Sequence, residues 1–148
     1  MQKMRRTPND LPFVMGVVDL LAEGGLSAWL FGGWAEELRG LVPPGTHRDL
    51  DLLYPAPNFD RLDAFFLTER LDEVGDDRSY ARAFRLEGIT VELLLVRRDA
   101  DGWFTDFRGG RHRWPADVFG RAARPPVASE DALVGYRNRY VSLHARAA

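Results

Sequence analysis

The chain contains no cysteine, and that absence removes disulfide frameworks, thiolate metal cages and cysteine nucleophiles from consideration. Any bound metal must rest on oxygen or imidazole donors. Lysine is almost missing as well: Lys3 is the only one, arginine supplies every other basic side chain, and the formal net charge is -2. A general nucleic-acid binder carries a strongly basic footprint, so that class is not expected, although local arginine clusters exist. No stretch approaches the roughly 18 apolar residues of a membrane span, and the opening MQKMRRTPND is not followed by the apolar segment of a signal peptide. The expectation is a soluble, cytoplasmic protein with no membrane partner. Internal repeats, linkers and low-complexity segments are also lacking.

What is present is a globular composition. With 148 residues, 45% hydrophobic and 28% charged, the chain is long enough to bury one continuous core, and a single domain over residues 1–148 is expected. Asn9 or Asp10 caps a first helix with Pro12 in its opening turn, Phe13, Val14, Val17, Val18 and Leu21 at helical spacing, and a stop at Gly24-Gly25. Ser27 to Phe31 reads as a buried strand that ends at Gly32-Gly33, before a helix from Trp34 to Leu41. After the breaker Val42-Pro43-Pro44-Gly45, Leu50 to Tyr54 is a second strand, closed by Pro55 and Pro57. Phe59 to Leu71 fits a helix and Gly75-Asp76-Asp77 a loop. Tyr80 to Leu86 and Ile89 to Val96 form a hairpin with Glu87-Gly88 at the turn. Trp103 to Phe107 reads as a strand, Arg108 to Trp114 as a loop, and residues 129 to about 145 as a terminal helix capped by Ser129. This order predicts an α/β or α+β domain, a small mixed sheet flanked by helices.

The informative segment pairs Phe31-Gly32-Gly33-Trp34 with His47-Arg48-Asp49-Leu50-Asp51-Leu52. Side chains at i and i+2 of a strand share a face, so Asp49 and Asp51 project together while Leu50 and Leu52 enter the core. Two carboxylates so placed repel unless a cation lies between them, and a hard divalent ion such as magnesium suits oxygen donors and triphosphate oxygens. Glycines at a strand end let the backbone approach a phosphate chain. On the later strand, Glu92 shares a face with Thr90, Leu94 and Val96, where a carboxylate is costly to bury without a partner. Arg48, Arg82 and Arg85 are further phosphate candidates. His47 either serves the site or sits on a surface loop, Trp34 reads as core, and Arg108, Arg111, His112 and Arg113 with Trp114 read as a solvated hairpin tip, with a phosphate- or RNA-holding loop as the alternative.

Gly32-Gly33, Asp49-x-Asp51 and Glu92 resemble the signature of the nucleotidyltransferase superfamily: a glycine pair, Asp-x-Asp/Glu, and a third carboxylate. The forms Gly32-Gly33-Trp34 and His47 to Asp51 are most similar to its aminoglycoside and lincosamide adenylyltransferase branch, over roughly Ala28 to Val96. The resemblance implies that Asp49 and Asp51 bind one or two magnesium ions with Glu92 completing the set. It further implies that Gly32 and Gly33 cradle a nucleoside triphosphate, ATP, beside His47 and Arg48, and that the third carboxylate can act as general base. Gly45 stands where relatives commonly place an arginine, Glu92 where an aspartate is expected, and the chain has no room for a large helical acceptor-binding domain. The implied activity is transfer of a nucleoside monophosphate, AMP from ATP, to a hydroxyl of a small acceptor of the aminoglycoside or lincosamide type. An acceptor site completed across a homodimer is compatible with this size. Two other readings stand beside it: a toxin-antitoxin component that nucleotidylates a protein or tRNA, and a non-catalytic nucleotide-binding relative, against which the complete carboxylate set argues.

Overall fold

The computed structural model describes residues 8–75 and 78–145. Sequence-level expectations on residues 1–7, and on Asp76 and Asp77 of the expected loop, lie outside the described residues. Among those described, four helices and seven strands follow in the order α1 (Leu11–Glu23), β1 (Trp29–Phe31), α2 (Gly32–Leu38), β2 (Leu50–Pro55), α3 (Asp60–Thr68), β3 (Asp72–Glu73), β4 (Ala81–Leu86), β5 (Ile89–Asp99), β6 (Gly102–Phe107), β7 (Gly110–Arg113) and α4 (Glu130–Leu143). The fold is a mixed α/β arrangement in which β2 and β5 pair in parallel and every other pairing is antiparallel.

Strand order β1-β2-β5-β4-β3 places the two apolar strands β2 and β5 at the centre. Leu50, Leu52, Val91 and Leu93 share one face with Phe84 and are fully buried. Phe66 of α3 meets Phe84 edge-on at 5.3 Å, so α3 covers that face. Parallel strands buried on both faces are ordinarily continuous apolar runs, and Glu92 and Asp51 interrupt that rule on the opposite face. Local signals set the boundaries. Asp10 accepts from the Phe13 amide at 3.0 Å and caps α1, and Ser129 accepts from the Ala132 amide at 3.1 Å and caps α4, each meeting a donor that the helix itself leaves unpaired. Glu87 and Gly88 both have positive φ, 52° and 83°, the backbone of a tight hairpin turn whose twist matches its strands.

Three expectations are corrected. The helix expected from Trp34 begins directly at Gly32, with no spacer after β1. The strand expected to end at Val96 runs on to Asp99, where it pairs with β6. The segment read as a loop from Arg108 to Trp114 contains β7, paired with β6. Charge concealed that strand. Arg111 and Arg113 point outward onto Asp106 and Asp99, at 2.6 and 2.7 Å, while His112 and Trp114 alternate inward and are buried. The guanidinium groups of Arg97, Arg111 and Arg113 lie over the buried Phe104 ring, Arg111 at 3.9 Å, so cations act as the lid of an aromatic core.

The C-terminal helix is fastened to this second hairpin. The Gly109 amide donates to the Leu143 carbonyl at 2.8 Å, and a Cβ at Gly109 would lie 1.9 Å from the Ser142 carbonyl oxygen. Thr105, fully buried, donates to the Leu95 carbonyl at 2.7 Å and accepts from the Trp114 indole at 2.9 Å, joining β5, β6 and the segment after β7. On the other side of the molecule, Arg39 donates to the carbonyls of Val127 and Ala128 at 2.9 and 3.0 Å. It thereby holds residues 126–128 along β1, where the Leu30 amide donates to the Pro126 carbonyl at 2.8 Å.

Gly109→Ala is expected to cost about 1–3 kcal/mol, the penalty of overpacking against backbone, and to loosen α4; chemical denaturation gives the stability and amide exchange over residues 136–143 the loosening. A second expectation concerns acid. His112 is buried with Arg139 donating to its Nδ1 at 3.1 Å and no partner for Nε2 among the described residues, and burial followed by the Arg139 charge pushes it down to about 4. The unfolded chain, with an ordinary histidine near 6.5, binds the proton more readily, so stability falls as pH drops from about 6.5 toward 4. Thermal unfolding from pH 7 to 5 should show that slope in the native chain and a shallower one in His112→Asn.

Candidate active site

The junction of β1 and α2 brings backbone and carboxylate together more closely than any side chain would permit. Gly32 has φ of 63°, and a Cβ there would lie 2.4 Å from Asp51 Oδ2. Both the left-handed backbone and the contact demand glycine. Gly33 is constrained from the other side, since a Cβ would lie 3.1 Å from His47 Nδ1.

Asp51, the second residue of β2, stands directly opposite Glu92 in the parallel register, and β4 sets Ala83 beside Glu92. Two carboxylates therefore occupy neighbouring positions on one face of the sheet. Burial, then the charges of Glu92 and Asp49, push Asp51 up to about 7, and Arg78 opposes the rise. Glu92 accepts two hydrogen bonds from the Arg78 guanidinium, at 2.7 and 3.4 Å. Asp49 precedes the strand and is exposed at its entrance.

The loop that delivers Asp49 is braced by residues distant in sequence. Asn9 donates to the carbonyls of His47 and Asp49, each at 3.1 Å, and accepts from the Trp34 indole at 3.0 Å. Glu37 Oε1 accepts from the Gly45 amide and meets His47 Nε2, both at 2.9 Å, and these contacts hold its carboxyl below the ordinary carboxylate range. The His47 ring lies 4.3 Å from that of Trp34. The structure thus sets His47 into the wall of the loop rather than into the cleft, and buries Trp34 as expected. Arg48 is exposed and does not line the cleft. Arg82 is engaged by Asp63 at 2.9 Å and lies over Phe59, and Arg85 is exposed.

Gly32, Gly33, Asp51 and Glu92 open into a cleft of about 650 Å³ whose far wall is α4. That wall presents Tyr136, Tyr140 and His144, with Arg137 paired to Glu36 at its rim. Tyr136 packs on Phe31 at 4.8 Å, and its hydroxyl shares a 2.7 Å hydrogen bond with His144 Nε2. Burial raises the Tyr136 hydroxyl far above its ordinary range and lowers His144, so the pair is neutral near pH 7. The helical spacing of Leu133, Tyr136, Tyr140 and Leu143 puts them on one face of the terminal helix, but does not reveal the place of the two tyrosines in the cleft. The available signal was polar-tipped aromatics recurring with His144 at intervals of four. Arg78 carried no such signal, because only the fold brings it to Glu92.

The donors suit a hard divalent cation. All are carboxylate oxygens, and the half-buried Asp51 has no hydrogen-bonded cation among the described residues, its charge resisted by the two carboxylates near it. Among the described residues no three acidic or histidine side chains form a ready cage, consistent with Glu92 being turned to Arg78 and Asp49 standing at the mouth. Asp51 and Glu92 line the cleft and could hold such an ion, whereas Asp49 does not line it.

No protein-family profile matches the chain, and no curated protein matches its sequence. Its likeness is to solved structures. The lincosamide antibiotic adenylyltransferase LnuA, lincomycin-bound, superposes with a TM-score of 0.70 at 16% identity, covering 90% of this chain and 89% of that one. ANT(2″)-Ia in complex with adenylyl-2″-tobramycin gives 0.58 at 16% identity over 88% and 75%, and a Thermotoga maritima protein provisionally assigned as a nucleotidyltransferase gives 0.52 at 17% over 88% and 83%. At such identities the likeness speaks to fold, and the chain has the nucleotidyltransferase fold, in the form found in lincosamide and aminoglycoside adenylyltransferases.

Proposed function

We propose that this cleft is the active site of a metal-dependent nucleotidyltransferase that moves a nucleoside monophosphate, AMP from ATP, onto a hydroxyl of a small acceptor. The observation that carries the reading is the pairing of Asp51 with Glu92 in register on the cleft floor, against a glycine whose missing Cβ admits the carboxylate. Such a pair costs stability in the free protein and is worth keeping for a ligand that brings positive charge. In structural neighbours of this fold the bound molecules are lincomycin and an adenylylated tobramycin, which supports a small hydroxylated acceptor of that kind here.

Asp51, with Asp49, would hold a magnesium ion, which when bound would neutralise charge on the triphosphate and on the departing pyrophosphate. The chain's own residues do the rest. Gly32 and Gly33 let the backbone lie close to the phosphates, and the α4 wall narrows the cleft so that the acceptor hydroxyl faces the α-phosphate. The acceptor oxygen forms its bond to the α-phosphorus, the bond to pyrophosphate breaks, and the hydroxyl proton passes to a cleft carboxylate, the role assigned to Glu92.

Pyrophosphate release from ATP with magnesium, measured across a panel of lincosamides and aminoglycosides, should depend on an acceptor and fall by about 100-fold or more in Asp49→Asn and in Asp51→Asn. Absence of release with every acceptor, despite magnesium-dependent ATP binding, would favour a macromolecular acceptor instead. The same carboxylates predict a stability effect. Because Asp51 is held near 7 in the fold against 3.8 ordinarily, the metal-free protein loses stability as pH rises through that interval. Asp51→Asn should raise its melting temperature at pH 8 by several degrees, about 1–2 kcal/mol, while removing the stabilisation that added magnesium gives the native chain.

A further inference from the structure

Resting on that reading of the cleft, one contact goes beyond it. Arg78 reaches across the cleft edge from just before β4 and grips Glu92 through both carboxylate oxygens, Nη2 to Oε2 at 2.7 Å and Nη1 to Oε1 at 3.4 Å. The fork geometry matters: a guanidinium bound this way occupies a lone pair on each oxygen and holds the carboxylate plane turned toward itself. Glu92 so held has fewer lone pairs to offer a cation, and its charge is already answered. Arg78 also lines the same cleft as Gly32, Gly33 and Asp51, and both partners keep about a quarter of their side-chain surface in contact with solvent, 25% and 27%. The pair is accessible enough to be exchanged and dry enough for the exchange to matter.

Triphosphate oxygens are the strongest competitors for a guanidinium that such a cleft would meet, since phosphate matches the fork as carboxylate does and carries more charge. We propose that Arg78 is a positioning residue that closes Glu92 in the nucleotide-free protein and transfers to the phosphate chain when a nucleoside triphosphate enters. The transfer releases the Glu92 carboxylate to complete the cation site and to face the acceptor. No covalent bond changes; one ion pair replaces another. The consequence is an order: the cation site is weak in the free protein and becomes whole only with nucleotide in place. It also accounts for the absence of a ready three-carboxylate cage among the described residues.

The test is metal binding, which needs no turnover. Manganese binding to the free protein and to the protein with a non-hydrolysable ATP analogue is measured calorimetrically for the native chain, Arg78→Ala, Arg78→Lys and Arg78→Ala/Glu92→Gln, with Arg137→Met as a control for removing one cleft cation that does not touch Glu92. Arg78→Ala should bind manganese alone about tenfold more tightly, while losing about tenfold in affinity for the metal-loaded analogue. The gain should vanish in the double variant, be smaller in Arg78→Lys, and not exceed about twofold in Arg137→Met. Manganese affinity unchanged or weakened in Arg78→Ala, a gain that survives Glu92→Gln, or an equal gain in Arg137→Met would each overturn the proposal, as would unchanged analogue affinity. Should Asp51→Asn leave manganese binding intact, the cation site itself is misplaced and both readings fall together. Thermal unfolding of each variant confirms that it is folded.

Discussion

The parallel ladder between β2 and β5 is the constraint on which the site depends. Its register puts Asp51 against Glu92, and the pairing fixes that neighbourhood, because a slip of β2 by one residue would send Asp51 into the core and Leu50 and Leu52 to the cleft, and a slip of β5 would do the same with Glu92, Val91 and Leu93. The apolar face therefore enforces the polar one. Fully buried leucines and valines hold the register, and the register holds two like charges where they would not otherwise stay.

Around that ladder the structure is a set of devices for tolerating charge. Gly32 brings bare backbone against Asp51, Arg78 answers Glu92, and Arg137 answers Glu36 at the rim. The loop before β2 is anchored by Asn9, Trp34 and Glu37 from outside it, through the loop's own His47 and backbone, which fixes the approach of Asp49 without placing further cations in the cleft. On the far side of β5 the same chemistry serves a different end, since Arg111 and Arg113 seal Phe104 and satisfy Asp99 and Asp106. Arginine, with almost no lysine to share the work, appears wherever a planar two-pronged donor is needed.

Two features of α4 tie stability to the site. The helix has one end capped by Ser129 and the other pressed onto Gly109, so the wall formed by Tyr136, Tyr140 and His144 is fastened at both ends. A cleft bounded by a fastened helix keeps its width, and orientation of reacting groups depends on that width. The buried side chains of Phe107, His112 and Trp114 beneath the helix pack on Tyr136 and carry the wall on the second hairpin, so the β6-β7 unit, distant in sequence from the glycine pair, supports the cleft from behind.

The sequence by itself determined most elements and the heart of the site. Glycine pairs, caps and periodicity placed α1, β1, β2, the β4-β5 hairpin and α4, because those signals act between near neighbours in the chain. The motif residues Gly32, Gly33, Asp51 and Glu92 were legible as well, since each breaks a local rule: glycines where a helix begins, carboxylates in apolar strands. The tertiary structure decided what local chemistry does not specify. It extended β5 and made β7 a strand, since ladder hydrogen bonds to β6 outweigh a charged and glycine-rich composition. It set His47 into a brace with Glu37 and Trp34, drew Arg78 onto Glu92, and turned Tyr136, Tyr140 and His144 into a cleft wall. His47 meets Glu37 across 10 positions and Arg78 meets Glu92 across 14, and a contact between different elements is set by how the layers pack, which single-residue preferences do not encode.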